Sequence, residues 1–185
     1  MPFRPAAFHV YVTDVDAAFQ RALAAGAESM GEPADRPYGE RAGFVKDTYG
    51  NHWYIATPLG RSPVAEGRRT VTPFLHPRGV PAYIEFLKLA FGAVEELRHE
   101  MPEGVVIHAR LRIGNAAIEM GDTQGAAEPM PTAFYLYVGD ADALYHQAVA
   151  AGATSLSPPT VQSYGDRVAS VEDSMGNQWF IARPA

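Results

Sequence analysis

Four ionisable side chains are the main candidates for chemistry in this sequence: His9, His52, His76 and Glu119. The chain has no cysteine, which excludes disulfides, thiolate nucleophiles and sulfur-ligated metal sites. Any metal ion would therefore be held by His, Asp and Glu. The alternative is that these residues are polar strand side chains with ordinary hydrogen bonds, which is the commoner role of an isolated histidine.

Sequence motifs of well-known enzyme classes are absent. The chain contains no G-x-S-x-G nucleophile elbow, no Walker loop, no G-x-G-x-x-G and no H-E-x-x-H. Two arginines, Arg41 and Arg167, each follow a Tyr-Gly-acid triplet. Either they bind an anionic ligand, or each fixes its own loop by pairing with Asp47 or Asp173 across a hairpin. We expect the second.

Composition limits the classes of partner. The chain has 185 residues, 47% of them hydrophobic, and a formal net charge of -6. A nucleic acid or an anionic membrane surface requires a clustered basic face, so we expect neither as a partner. The sequence has no apolar run of 18 residues and no secretory leader pattern, which predicts a cytoplasmic protein. The expected partner is a small molecule or another protein.

An internal repeat determines where the candidate residues lie. Residues 7 to 58 align with residues 133 to 184 at a constant offset of 126, without a gap and with about half the positions identical. Identical pairs include Asp14 with Asp140, Gly26 with Gly152, Arg41 with Arg167, Asp47 with Asp173, Asn51 with Asn177 and Trp53 with Trp179. The two segments therefore share one fold.

Each copy predicts a βαβββ module. A β-rich run ends at Asp14 or Asp140, a good helix N-cap, and a helix with one apolar stripe follows. Gly26 or Gly152 ends the helix, and three strands follow, the last two joined by a D-x-x-G-N turn. Residues 70–122 repeat this order in diverged form. We therefore predict an α+β protein of three modules, with linkers at 59–69 and 123–131.

The motifs resemble those of the vicinal-oxygen-chelate superfamily, which groups glyoxalase I, bleomycin-resistance proteins and extradiol dioxygenases. VTPFL, HARLRIGNAAIEMGD, FYLYV, YGDR and D-x-x-G-N-x-W look most like its PhnB-like branch. The match covers 70–185 as one complete two-module domain, of 70–122 and 132–185, and 1–58 as an extra half-domain. The resemblance implies modules paired into open, barrel-like clefts that bind small molecules. If the protein is an enzyme, it implies glyoxalase-like or dioxygenase-like chemistry with a divalent metal.

The metal positions implied by that resemblance are mostly occupied by residues that cannot ligate. The family takes ligands from the first and last strand of each module, which fall here at Ala7, Tyr54, Thr72, Glu119, Ala133 and Phe180. Only Glu119 can coordinate an ion, so we expect no metal at the usual positions and no obligatory cofactor. Glu119 remains a candidate general base, or a structural carboxylate paired with Arg110 or Arg112.

Strand alternation predicts which side chains share the cleft face with those positions. If the first module pairs with the middle one, His9, His52, His76 and Glu119 form a displaced metal site. The predicted ligand-binding residues are Tyr135, Tyr137, Phe180, Gln178, Phe74 and His76, because a cleft lined by rings with few polar groups is typical of small-molecule sites. Core packing is an equal alternative for the aromatic residues. Trp53 and Trp179 alternate outward and are expected to pack against their own helices.

Three modules leave one sheet face without a partner. We expect modules two and three to pair, so residues 1–58 would seek an identical half in a second chain, which predicts a homodimer. The leading functional hypothesis is a metal-independent protein that binds a small molecule in an aromatic-lined cleft. The alternatives are a metal-dependent lyase or dioxygenase with the displaced ligand set, and a non-catalytic interaction protein.

Overall fold

Three βαβββ modules follow one another in a computed structural model that describes residues 5–60, 69–122 and 129–185. The first module consists of β1 (Ala7–Tyr11), α1 (Val15–Ala24), β2 (Glu28–Arg36), β3 (Glu40–Lys46) and β4 (His52–Pro58). The second consists of β5 (Val71–Leu75), α2 (Val80–Phe91), β6 (Val94–Glu100), β7 (Val106–Ile113) and β8 (Ala116–Met120). The third consists of β9 (Ala133–Tyr137), α3 (Ala141–Ala150), β10 (Thr154–Val161), β11 (Arg167–Glu172) and β12 (Gln178–Arg183). The predicted fold class is confirmed, whereas most of both predicted linkers lies outside the described residues.

The repeated capping residues determine where the helices begin and end. The side chain of Asp14 accepts a hydrogen bond from the amide of Ala17, and that of Asp140 accepts one from Ala143, both at 2.9 Å. Each carboxylate thereby satisfies an amide that the first helical turn leaves without an intrahelical acceptor. At the other end, Gly26 and Gly152 have φ values of 95° and 107°, which side chains with a Cβ rarely adopt.

The chain divides into two compact units, the first comprising residues 5–75 together with 117–119. Its strands follow the order β2-β3-β4-β1-β5-β8, with β1 parallel to β4 and antiparallel to β5. The helix α1 covers one face of the sheet through a core of Val15, Phe19, Val45 and Ile55. The antiparallel pairing of β1 with β5 joins the first module to the first strand of the second module within this unit.

The second unit comprises residues 76–116 and 120–185. It contains the antiparallel pair β6–β7 and a four-stranded sheet of order β10-β11-β12-β9. Within this unit α2 packs beside α3, and Phe91 at the end of α2 lies 4.4 Å from the ring of Trp179. Among the described strands, β9 has no neighbour on its outer side. None of the helices in the described ranges has the length and apolar character needed to cross a bilayer.

The two tryptophans occupy different surroundings although their modules are copies. Trp53 packs against the core beneath its own helix α1, as expected. Trp179 is fully buried between Phe134 of β9 and Phe91 of α2, with ring centroids 4.3 and 4.4 Å away. A helix of another module therefore covers Trp179, which the expectation of packing against its own helix did not include.

Candidate functional site

A buried polar cluster lies at the centre of the first unit. His9 of β1 contacts Glu119 of β8, with 2.6 Å between the imidazole Nδ1 and the carboxylate Oε2. On the other side of the ring, Nε2 lies 3.7 Å from Oε2 of Glu40. The hydroxyl of Tyr11 donates to Oε1 of Glu40 at 3.0 Å. All four residues are below 7% exposed, so this network is shielded from water.

The strands explain why these groups meet. His9 and Tyr11 are two residues apart on β1 and point to the same face of the sheet. Glu40 begins β3 and shares that face with Ala42, which packs with Tyr11. Two carboxylates thus flank one imidazole in a buried site. Buried charges of this kind are tolerated because each has a charged or hydrogen-bonding partner.

Aromatic rings surround the cluster on the same face. Phe74 of β5 lies 6.5 Å from the His9 ring and 4.8 Å from that of Tyr54, which in turn lies 5.1 Å from Phe44. Burial raises the pKa of Tyr54 to about 12, so its phenol stays protonated at neutral pH. Chemically, the arrangement is an imidazole between two carboxylates within an aromatic surround.

A second set of aromatic residues lies on the four-stranded sheet of the other unit. The rings of Tyr135 and Phe180 stack 5.8 Å apart at an interplanar angle of 12°, and Tyr137 lies 5.1 Å from Tyr135. Tyr135 is 45% exposed and Tyr137 is 68% exposed. Gln178 is half-buried at the start of β12. A hydrogen bond with Tyr164, helped by burial, raises the pKa of Tyr135 to about 12.

Two further candidate ligands are His52 and His76. His52 begins β4, is half-buried, and has a pKa lowered first by burial and then by Lys46. His76 is buried directly after β5, at the start of the second unit's residues. Within the described ranges, neither histidine joins a group of three potential metal ligands. Of the displaced set, the first unit brings together His9 and Glu119.

The donor set does not fit the metal centre that the resemblance implies. Strand register places His9 beside Tyr54 on β4 and opposite Thr72 on β5. Ala7, Ala133 and Phe180 offer no ligand atom, and Glu119 is engaged with His9 at 2.6 Å. One carboxylate at the inherited positions is too few for a tetrahedral or octahedral catalytic ion.

Sequence reasoning missed one member of the buried cluster and misassigned the loop arginines. The missed residue is Glu40. Alternation along β3 could have identified it, because it lies two residues from Ala42 on the inward face of the sheet. Arg41 pairs with Asp16 and Asp35, at 2.7 and 3.1 Å, instead of Asp47. Arg167 likewise pairs with Asp142 instead of Asp173. In both copies the arginine therefore ties the sheet to the first turn of the helix.

Comparison with known proteins agrees with this architecture. A family model of the glyoxalase/bleomycin resistance protein/dioxygenase superfamily matches residues 3–55 and 77–181. An uncharacterised protein of Mycobacterium tuberculosis is 32% identical over 144 residues, which cover 68% of this chain and 85% of that protein. A similar protein of Mycobacterium bovis is 32% identical over 125 residues, or 62% of this chain and 82% of that protein.

Solved structures show the same fold. Glyoxalase I from Zea mays superposes with a TM-score of 0.73 at 16% identity, covering 98% of this chain and 68% of that one. TioX from Micromonospora sp. ML1 gives a TM-score of 0.54 at 24% identity over 60% of this chain and 95% of that one. Together with the family model, these similarities lead to one conclusion: the chain belongs to the glyoxalase/bleomycin resistance protein/dioxygenase superfamily.

Proposed function

We propose that this protein binds a flat small molecule, without a metal ion, on the aromatic face formed by Tyr135, Tyr137 and Phe180. One observation carries the proposal. The equivalent positions of the first module, His9 and Tyr11, are 6% and 5% exposed, whereas Tyr135 and Tyr137 are 45% and 68% exposed. The inner face is thus filled in the first copy and accessible in the third.

The chemistry of this face favours a planar, largely apolar ligand. Aromatic rings bind other rings by offset stacking, worth about 0.5–1.5 kcal/mol per pair beyond the area they bury. The phenol groups of Tyr135 and Tyr137 and the amide of Gln178 supply hydrogen bonds that orient the ligand. The family's metal positions in this module are Ala133 and Phe180, neither of which binds an ion.

A fluorescent planar probe tests this proposal directly. We expect 8-anilinonaphthalene-1-sulfonate to bind the folded protein, with an affinity unchanged by a chelator. The double substitution Tyr135→Ser with Tyr137→Ser should weaken binding about tenfold, since two stacking partners are lost. Tyr49→Ser is the matched control, because Tyr49 is 72% exposed on a hairpin elsewhere. Equal binding by the double variant and the wild type would disprove the assignment.

We also propose a homodimer formed through β9. In the first unit the outer edge of β1 is paired with β5, and β9 occupies the position of β1 in the third module. An edge strand left unpaired is a template for a further strand, and a two-fold axis lets β9 of a second copy pair with it. Light scattering should give a mass of about twice the 20.0 kDa of one chain. Pro substitution of Leu136 should then yield a folded monomer, and a wild-type monomer at micromolar concentration would end the proposal.

A metal-dependent lyase or dioxygenase is the second candidate. It is favoured by the juxtaposition of His9 and Glu119, both potential ligands and both buried. Calorimetric titration of chelator-treated protein with Zn²⁺, Ni²⁺ and Mn²⁺ distinguishes the candidates. Binding heat that disappears in Glu119→Gln would support a metal centre, and the absence of heat for all three ions would exclude it.

A further inference from the structure

A cavity of about 250 Å³ opens between α1 and the outer face of the first module's sheet. Its walls are mostly apolar and include Ala22, Val45 and Ile55. Three residues with polar side-chain atoms border it, Asp47, Thr48 and Trp53. The ring of Phe8 lies 4.9 Å from that of Trp53 at a tilt of 33°, and among the described residues no second ring contacts the indole. This volume suits a ligand of about one aromatic ring, below the usual range for larger ligands.

The third module has the same strand register and the same residues at most of these positions, with Leu136 in place of Val10 and Ser174 in place of Thr48, but there the corresponding space is filled. Tyr83 of α2 donates its hydroxyl to Oδ2 of Asp173 at 2.7 Å. Phe91 of α2 lies 4.4 Å from the ring of Trp179. Asp173 is 5% exposed and Trp179 is fully buried, whereas their counterparts Asp47 and Trp53 are half-buried. The repeat therefore shows what this type of site accepts: a phenol against the carboxylate and a ring against the indole.

The carboxylate oxygen that accepts these hydrogen bonds is held in the same way in the first and third modules. Oδ2 of Asp47 accepts from Nε1 of Trp53 and Nδ2 of Asn51, both at 3.0 Å. Oδ2 of Asp173 accepts the equivalent two bonds, at 2.8 and 3.1 Å, and the Tyr83 hydroxyl in addition. Asp47 thus offers a preoriented oxygen that can accept one more donor, as its counterpart does.

The charge of Asp47 sets the chemistry of the ligand. Burial raises the pKa of Asp47, but the hydrogen bonds from Trp53 and Asn51 outweigh it, and the pKa is lowered below its usual value. The group is therefore an anion at neutral pH. An anion accepts hydrogen bonds strongly and repels other anions, which favours a ring with a hydrogen-bond donor and disfavours aromatic carboxylates.

We propose that this cavity is a second small-molecule site, which binds a free phenol with its ring against Trp53 and its hydroxyl donated to Asp47. The site is separate from the aromatic face of Tyr135 and Tyr137 and does not depend on the function proposed for that face. Its occupant is a phenolic small molecule, because the cavity has room for one ring and not for the two helical turns that fill its counterpart.

Nuclear magnetic resonance of the indole N–H groups provides the test, using 4-methylphenol as the probe. The chain has two tryptophans, so the spectrum contains two indole signals, and Trp53→Phe assigns them. We expect 4-methylphenol to shift the Trp53 signal and leave that of buried Trp179 in place. The methyl ether 4-methylanisole has no hydrogen-bond donor. It should bind at least about tenfold more weakly than 4-methylphenol, because a hydrogen bond to a charged group is lost.

Substitutions at the cavity wall complete the design. Ala22→Leu fills the cavity and should abolish the shift, and Ala25→Leu does the same from the helix terminus if the first variant fails to fold. Ala24→Leu is the matched control, because Ala24 lies on the same helix, is exposed and does not line the cavity. Three results would overturn the proposal: no shift of Trp53, equal binding of phenol and ether, or binding of a peptide of residues 80–91 at far lower concentration than 4-methylphenol.

Discussion

The pairing of His9 with Glu119 leads to a quantitative prediction about the stability of the first unit. When His9 carries a proton on both ring nitrogens, its charge and that of a carboxylate interact by about 6 kcal/mol at 2.6 Å and about 4.5 kcal/mol at 3.7 Å, with an effective dielectric constant of about 20. Desolvation opposes both contacts, so the measurable coupling is smaller. The difference between the two distances nevertheless predicts that Glu119 is coupled to His9 more strongly than Glu40 is.

Double-mutant cycles measure this coupling. We expect Glu119→Gln alone to lower the free energy of unfolding by about 3 kcal/mol, because it leaves His9 without its closest partner in a buried site. The cycle of His9→Gln with Glu119→Gln should give a coupling of about 2 kcal/mol or more, and the cycle with Glu40→Gln about 1 kcal/mol less. The assay is urea unfolding followed by circular dichroism.

Two results of these cycles would refute the reasoning, and a third would show that the variants are unsuitable for the measurement. A His9–Glu119 coupling below about 0.5 kcal/mol would show that the contact is not a charged pair that matters to folding. A coupling smaller than that of His9 with Glu40 would contradict the distances. A change in the slope of unfolding against urea would show that the variants altered compactness, in which case the cycle does not measure the contact.

Further predictions concern the third module, the turn carboxylate and the helix caps. Tyr83→Phe should lower the free energy of unfolding by about 1–3 kcal/mol in urea titration, because Asp173 loses a donor in a buried site, and an unchanged value would contradict the bond's importance. Because the folded pKa of Asp47 is lowered, its stabilisation is complete above the unfolded value near 3.9 and is lost as pH falls below it. Asp47→Asn should therefore flatten the fall in stability between about pH 4 and pH 2, and parallel pH profiles would refute this. Asp14→Ala should cost about 1 kcal/mol through loss of the N-cap, with Asp14→Asn as a control that keeps a side-chain oxygen at the cap.

The order of elements within each module could be predicted because it depends on local sequence. Asp14 and Asp140 cap their helices, and the glycines after each helix have the positive φ that ends it. These signals act within a few residues, so a single sequence carries them completely. The repeat supports the predicted order of elements in each module, because the same residue types satisfy the same backbone groups in both copies.

The pairing between modules could not be predicted in the same way. The edge of β1 can pair with any strand that has complementary side chains, and the sequence does not specify which strand pairs with it. Pairing of β1 with β5 depends on long-range burial, in which His9 meets Glu119 across 110 positions of the chain. The arginine partners could not be chosen by spacing either, because Asp16 with Asp142 and Asp47 with Asp173 are both retained at a constant spacing from Arg41 and Arg167.

The contrast between the two copies separates what a residue does for its own module from what it does for a neighbour. Asp47 and Asp173 make the same bonds to the turn, so the turn explains why both are present. The Tyr83 hydroxyl is an addition that only the third module receives, from a helix that has no counterpart over Trp53 among the described residues. Aspartate and tryptophan therefore make the same contacts to the turn in both modules. In the first module, where no helix covers them among the described residues, the same two side chains can also contact a ligand. If that account is right, substitution of Ala22 should change phenol binding without changing the free energy of unfolding by more than about 1 kcal/mol, because the cavity wall is partly exposed.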